Sequence, residues 1–144
     1  MTTAAELQVS HVLPPVAENI FAFADDGKPY LIGGFCPACG RYYFPFPEYC
    51  GHCQGSVEIA DLGRQGVIYS HTVIRTKPPY GLPKPYAVAM IDLDAVPLRI
   101  FCLLDPGQPE GYRIEQTVRL AVAPIGHDGA GRECLRPYFT TLQD

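Results

Sequence analysis

The sequence predicts a mainly β protein: an amino-terminal arm with a short helix, a metal-binding ribbon, and a five-stranded barrel in the carboxyl-terminal half. Three observations carry this. Fifteen prolines and fourteen glycines in 144 residues interrupt every apolar stretch before it reaches helical length. Four of the six cysteines stand as two Cys-x-x-Cys pairs, Cys36 with Cys39 and Cys50 with Cys53. Beyond Gly66, short runs rich in β-branched and aromatic residues recur between turn signals. The length suits one ordinary domain or two small ones in series. The pattern divides the chain into 1–27 for arm and helix, 28–62 for the ribbon and 63–144 for the barrel.

Met1 to Pro15 show no clear period and read as a mobile arm or a docking segment. Val16, Ile20 and Phe23 then fall at helical intervals, and Asp25-Asp26-Gly27 supplies a stop, so a short helix is expected over Val16 to Ala24. Leu31 to Phe35 leads as a strand into the first cysteine pair, and Arg41 to Phe44 leads out of it. The second pair is followed by a strand-like stretch from Val57 to Ala60. Gly63 and Gly66 read as a hinge. Five strand candidates follow: Val67 to Thr76, Tyr86 to Leu93, Leu98 to Leu104, Gln116 to Ala123 and Cys134 to Thr140. Between the first two lies TKPPYGLPKP, Thr76 to Pro85, with four prolines in ten residues; it cannot join a central ladder and must be an extended loop. Asp94 to Pro97 and Gly126 to Gly131 are the later turns. Five short strands over so few residues suit a small antiparallel barrel of OB-fold type.

The cysteine spacing points to a metal. Two residues between paired cysteines allow a tight knuckle in which both sulfurs face one ion; Pro37 presets the first turn and Gly40 relaxes the backbone after it. Four thiolates give a closed tetrahedron around zinc, with no position left for water or substrate, so the ion is structural. A segment this small buries too little surface to fold unaided, and metal binding supplies much of its folding free energy, on the order of 10 kcal/mol. Iron held by the same four thiolates is the competing reading. His52 sits inside the second knuckle and is expected at the surface or beside the ligands. Cys102 and Cys134 lie among apolar strand residues and read as buried, inert thiols. The absence of an export signal disfavours a disulfide framework and predicts a cytoplasmic protein. No apolar run approaches the roughly 20 residues of a membrane span.

Catalytic signals are missing. His11, His71 and His127 are scattered, and none stands beside a Ser, Cys or carboxylate in a nucleophile-plus-base spacing. The proline-stiffened loop carries Lys77 and Lys84 around Tyr80 and loses little entropy on docking, so it suits a phosphate-bearing ligand such as coenzyme A or a partner protein. Arg64 and Arg75 are further phosphate candidates. A formal charge of −4 argues against tight nucleic-acid binding. The alternative function, a single-stranded nucleic-acid module, would use Tyr42, Tyr43, Phe44, Tyr69 and Tyr80 as stacking rings.

CPAC, FPFPEYCGHC, RQGVIYSHTVI and PYAVAMIDLD together resemble the family that joins a rubredoxin-like zinc ribbon to an acyl-CoA-associated OB-fold, long labelled a domain of unknown function. The likeness covers roughly Lys28 to Phe139. It implies an accessory subunit for a thiolase-like or ketoacyl-synthase-like large subunit, as in benzoylsuccinyl-CoA thiolase, one that steadies the partner and helps to hold or pass a CoA thioester. By the same resemblance the partner carries the catalysis and the complex is a hetero-oligomer. The chain departs from the family pattern in having Phe44-Pro45-Phe46-Pro47 where an arginine-bearing segment is usual, and in lacking tryptophan.

Overall fold

The computed structural model describes residues 13–142. Most of the arm read from Met1 to Pro15 lies outside them. Its last residues are not loose: Pro14 and Val16 exchange backbone hydrogen bonds with Leu135, as acceptor and donor, at 2.8 Å each, and Pro15 bridges Leu135 in parallel.

The helix expected over Val16 to Ala24 is not formed; among the described residues there is no helix. Asn19 takes a left-handed φ of 55°, which stops helical winding, and the chain turns into strand β1, Phe21–Phe23. Asp25-Asp26-Gly27, read as a helix stop, instead turns a hairpin into β2, Pro29–Cys36. Gly27 supplies the positive φ, and the Asp26 carboxylate accepts the Lys28 amide at 3.0 Å. The apolar spacing of three and four was a coincidence of two short apolar segments; the local turn chemistry decides.

The first sheet is built on β2. Strands β1 and β3, Arg41–Tyr43, pair along one edge of it, and β4, Glu58–Gly63, along the other, all antiparallel. The second sheet has the order β7-β6-β5-β8-β9: β5 is Gln65–Ile74, β6 Tyr86–Leu93, β7 Arg99–Leu103, β8 Thr117–His127 and β9 Glu133–Thr141. A parallel bridge between Leu104 and Phe139 brings the two ends of that order together, so the sheet curls into an OB-like barrel. All five expected strands are present within a few residues. The proline-rich segment is a loop. The largest boundary difference is in β8, which continues through Gly126 and His127, residues that read as turn. A ladder irregularity between Pro124 and His127 absorbs the glycine, and a side chain at Gly126 would collide with the Tyr80 carbonyl of the docked loop.

The two sheets meet at Gly63-Arg64-Gln65 with no linker. Gly63 turns the chain at φ 86°, whereas Gly66 lies inside β5, where a Cβ would come within 2.7 Å of both the Ile91 side chain and the Asp92 carbonyl. Leu31 from β2 and Leu62 from β4, both fully buried, belong to the same apolar cluster as Ile68, Ile91, Leu104, Val118 and Phe139 of the barrel. Tyr42 and Phe44 pack on it as well. The ribbon thus shares the barrel's core.

Candidate metal centre

Each cysteine pair closes a knuckle of the same construction. In the first, Gly40 has φ 69° and its N–H donates to the Cys36 carbonyl at 2.7 Å. In the second, Gln54 has φ 62° and donates to the Cys50 carbonyl at 2.8 Å. One left-handed residue directly after the second cysteine turns each loop. Glycine marked this position in the first knuckle; glutamine hid it in the second. β2 and β3 hold the first knuckle between them, and the Tyr49–Ser56 bridge closes the base of the second.

The four sulfurs lie within 4.8 Å of one another. Cys36 Sγ stands 3.6 Å from Cys53 Sγ, and Cys50 Sγ stands 3.9 Å from Cys39 Sγ. A tetrahedron with metal–sulfur bonds of ~2.3 Å has edges of about 3.8 Å, so both separations match a single four-coordinate ion. They are far too long for disulfides, and all six cysteines are free thiols. Cys36 and Cys50 are buried, Cys39 is partly covered and Cys53 is exposed. His52 is exposed and outside the cluster, as its place in the knuckle predicted.

Donors around the sulfurs prepare them for a cation. Backbone N–H groups of His52 and Cys53 point at Cys50 Sγ at 3.4 and 3.5 Å, and that of Gly55 points at Cys53 Sγ at 3.4 Å. The Tyr43 hydroxyl lies 3.1 Å from Cys50 Sγ. This hydrogen bond, with those backbone donors, draws the Cys50 thiol down from 9.0 to about 5. Two neighbouring thiols move the opposite way without a cation: hydrogen bonding to Cys53 and burial push Cys39 to about 12, and burial raises Cys36. One thiolate is ready, and the resistance of Cys36 and Cys39 to ionising is what a bound divalent ion offsets. The donor set therefore fits a soft or borderline metal in a closed tetrahedral site. Tyr43 in this role is something that sequence reasoning missed; it read as one of several candidate stacking rings, and only the Gly34–Tyr43 register brings its ring to the second knuckle.

The predicted phosphate residues do not come together. Arg64 sits between β4 and β5, 3.2 Å from Asp26, and β5 separates it from Arg75, which is exposed and 3.6 Å from Glu110. Lys77 and Lys84 are exposed in the loop beyond Arg75. Arg64 instead shares a cavity of about 360 Å³ with Lys28 and Arg119, neither of which the sequence singled out. The candidate stacking rings are also dispersed: Tyr42 and Phe44 pack inward, Tyr43 serves the thiols, and Arg99 covers Tyr69 at 3.4 Å. Cys102 and Cys134 are buried, and burial raises both thiols, Cys102 to about 12. No helix among the described residues is long and apolar enough to cross a membrane.

A thiolate-clustered ribbon fused through a shared core to an OB-like barrel defines the class. The family model for the ChsH2 C-terminal OB-fold domain matches residues 60–123. The benzoylsuccinyl-CoA thiolase subunit BbsA of Geobacter metallireducens is 37% identical over 102 residues, covering 70% of this chain and 67% of that protein. A DUF35 domain-containing scaffold protein of Methanocaldococcus jannaschii is 31% identical over 102 residues, covering 69% and 72%. The solved Ltp2–ChsH2(DUF35) aldolase superposes with a TM-score of 0.60 at 24% identity, over 78% of this chain and 84% of that one, which establishes likeness of fold. The chain belongs to the DUF35 family of OB-fold proteins, as the sequence motifs anticipated.

Proposed function

We propose that this protein is a zinc-braced, non-catalytic subunit of a thiolase-like acyl-CoA enzyme, holding the large subunit in its working form and helping to bind or pass the CoA thioester. The observation that carries this is the closed sulfur tetrahedron. With every coordination position taken by cysteine, the metal offers no Lewis-acid site, and its work is to keep the ribbon folded on the barrel. The bond-making groups then reside on the partner. Similarity to a named thiolase subunit and to a named scaffold protein supports that division of labour.

A surface for such a partner is at hand. Phe101 on β7 is 62% exposed, Tyr69 is 51% exposed, and Arg99 lies over the Tyr69 ring. Aromatic residues and arginine are the side chains that most often anchor protein interfaces. Candidate contacts to the CoA phosphates are Arg75, Lys77 and Lys84 at the loop end of β5 and Arg64 at the other end.

The test is co-expression with a thiolase-like large subunit, followed by co-purification, metal analysis and a thiolysis assay. The expected result is a complex with one zinc per copy of this chain and thiolysis that depends on it. A large subunit that is fully active alone, with this chain purifying separately, would overturn the reading.

A further inference from the structure

We propose that the cleft between the β1–β2 hairpin and β8 binds a small ligand with a phosphate or diphosphate head and an apolar arm, the head held by Lys28, Arg64 and Arg119. This deepens the acyl-CoA reading above and rests on it only for the identity of the ligand; the site itself stands on the geometry that follows.

Three cations reach one cavity of about 360 Å³ from three separate elements: Lys28 from the hairpin turn, Arg64 from the junction of β4 and β5, and Arg119 from β8, where it pairs with Gln65. Their convergence stands against a chain whose formal charge is −4. Two carboxylates oppose them, Asp26 beside Arg64 and Asp25 in the wall of the adjoining cavity. Asp26 accepts the Lys28 amide and meets Arg64 at 3.2 Å, and these contacts hold its carboxyl below the ordinary range, so it is ionised at neutral pH. Three positive charges against these two carboxylates leave the cleft with a net positive charge. Asp26 occupies a single guanidinium nitrogen, Nη1, and fixes the direction of the side chain, while the remaining N–H groups of the fork stay available to oxygen acceptors.

The cleft does not end at the cations. Pro29, Arg119 and Leu120 line both this cavity and an adjoining one of about 560 Å³, whose walls include Phe23, Ala121 and Val122 and one carboxylate, Asp25. A cation-lined end and a mainly apolar end are therefore continuous. Backbone parity adds hydrogen-bonding groups to the apolar end. The Leu120 N–H donates to the Arg64 carbonyl at 2.7 Å, and Gln116 accepts from Ile68 at 2.9 Å, so the even-numbered residues of this part of β8 direct their peptide groups toward β5. Strand β5 begins at Gln65, and beyond Arg64 it has no residue left to meet Val122. The N–H and C=O of Val122 thus face the cleft, with no strand paired to them there among the described residues. A ligand arm carrying an amide would find one donor and one acceptor at that point, beside apolar walls.

The experiment is isothermal titration calorimetry on the full, metal-loaded chain with inorganic pyrophosphate, ADP and coenzyme A as probes. Saturable binding of pyrophosphate is expected, with tighter binding of coenzyme A than of ADP because only the former carries the arm. Lys28→Gln and Arg119→Gln should each weaken pyrophosphate on the order of tenfold. Val122→Pro, which removes the N–H, should narrow the advantage of coenzyme A over ADP without affecting pyrophosphate. Arg113→Gln, on an exposed loop away from the cleft, should change nothing, and unchanged circular dichroism and metal content keep the variants comparable. No saturable heat with any probe, or an equal loss in Arg113→Gln, overturns the site. Co-purification of Lys28→Gln and Arg119→Gln with the large subunit separates the two readings: loss of anion binding with the complex intact confirms the cleft independently, whereas anion binding with no complex sinks only the accessory-subunit reading.

Discussion

The ribbon and the barrel are held by different physics. In the barrel, strands β5 to β9 enclose Ile68, Ile91, Leu104, Val118 and Phe139, all with essentially no exposure, and burial of apolar area pays for chain order. In the first sheet the fully buried side chains are Leu31, Leu62, Cys36 and Cys50. The two leucines face the barrel's core, and the two cysteines face the sulfur cluster. Among the described residues the ribbon therefore owns no apolar core; it hangs between a sulfur cluster and a neighbour. Asymmetry of this kind teaches that one half can be unfolded while the other stands.

The largest effect should come from the metal. Chelation, or Cys50→Ser, should release the two knuckles and the strands they hold, a loss on the order of 10 kcal/mol in ribbon folding free energy. Limited proteolysis should then cut between residues 36 and 58 while the barrel stays protected. A ribbon that remains resistant after complete metal removal would show that docking on the barrel is enough.

The complementary cut is Phe139→Ala. This ring is fully buried and sits where Leu104 and β9 close the barrel, so its loss should cost about 3–5 kcal/mol by urea denaturation. Because Leu31 and Leu62 lean on that core, the ribbon should loosen together with the barrel. The dependence then runs one way: the barrel survives loss of the metal, and the ribbon does not survive loss of the barrel.

The same contrast governs what could be read in advance. Cysteine spacing and strand alternation are local signals, and both the four-cysteine cluster and the five barrel strands were legible from them. Val16 to Ala24 was misread because helical spacing in a short window carries less weight than Asn19 and the Asp25–Gly27 turn, which end a helix and open a hairpin. Tyr43 escaped because its role depends on strand register, and Gln54 because a left-handed residue other than glycine has no mark in the sequence. Lys28 and Arg119 escaped for the simplest reason: they are far apart in the chain and meet Arg64 only when the two sheets are joined.

A smaller effect should follow from Tyr43→Phe, which removes the hydroxyl 3.1 Å from Cys50 and leaves the ring. Losing a hydrogen bond to a metal ligand typically costs about 10- to 100-fold in affinity. The pH dependence has a definite sign. Cys50 is held at about 5 in the fold against an ordinary 9.0, so its thiolate contributes stability that is complete above pH 9 and drains away as pH falls through 5. Raising that lower value in Tyr43→Phe should move metal release to higher pH, read with a chromogenic chelator. An unshifted release profile would mean that the backbone N–H donors alone set the thiolate.

The smallest effect on folding should come from Arg99→Ala, and there the comparison turns from stability to docking. Arg99 meets Asp92 through two hydrogen bonds at 2.6 and 3.2 Å and covers the Tyr69 ring, yet Arg99 and Asp92 are both more than two-fifths exposed, so water screens the pair. Its removal should cost no more than about 1 kcal/mol. Phe101→Ser, at a ring 62% exposed on the same barrel face, should be similarly mild. If this face receives the large subunit, both substitutions should nonetheless weaken the complex far more than they destabilise the chain, because an interface desolvates what solvent now screens. Thermal melts and co-purification on the same two variants separate these quantities. Intact complexes with both would move the partner surface off this face and onto the ribbon, where chelation would then dissolve the complex and the knuckles together.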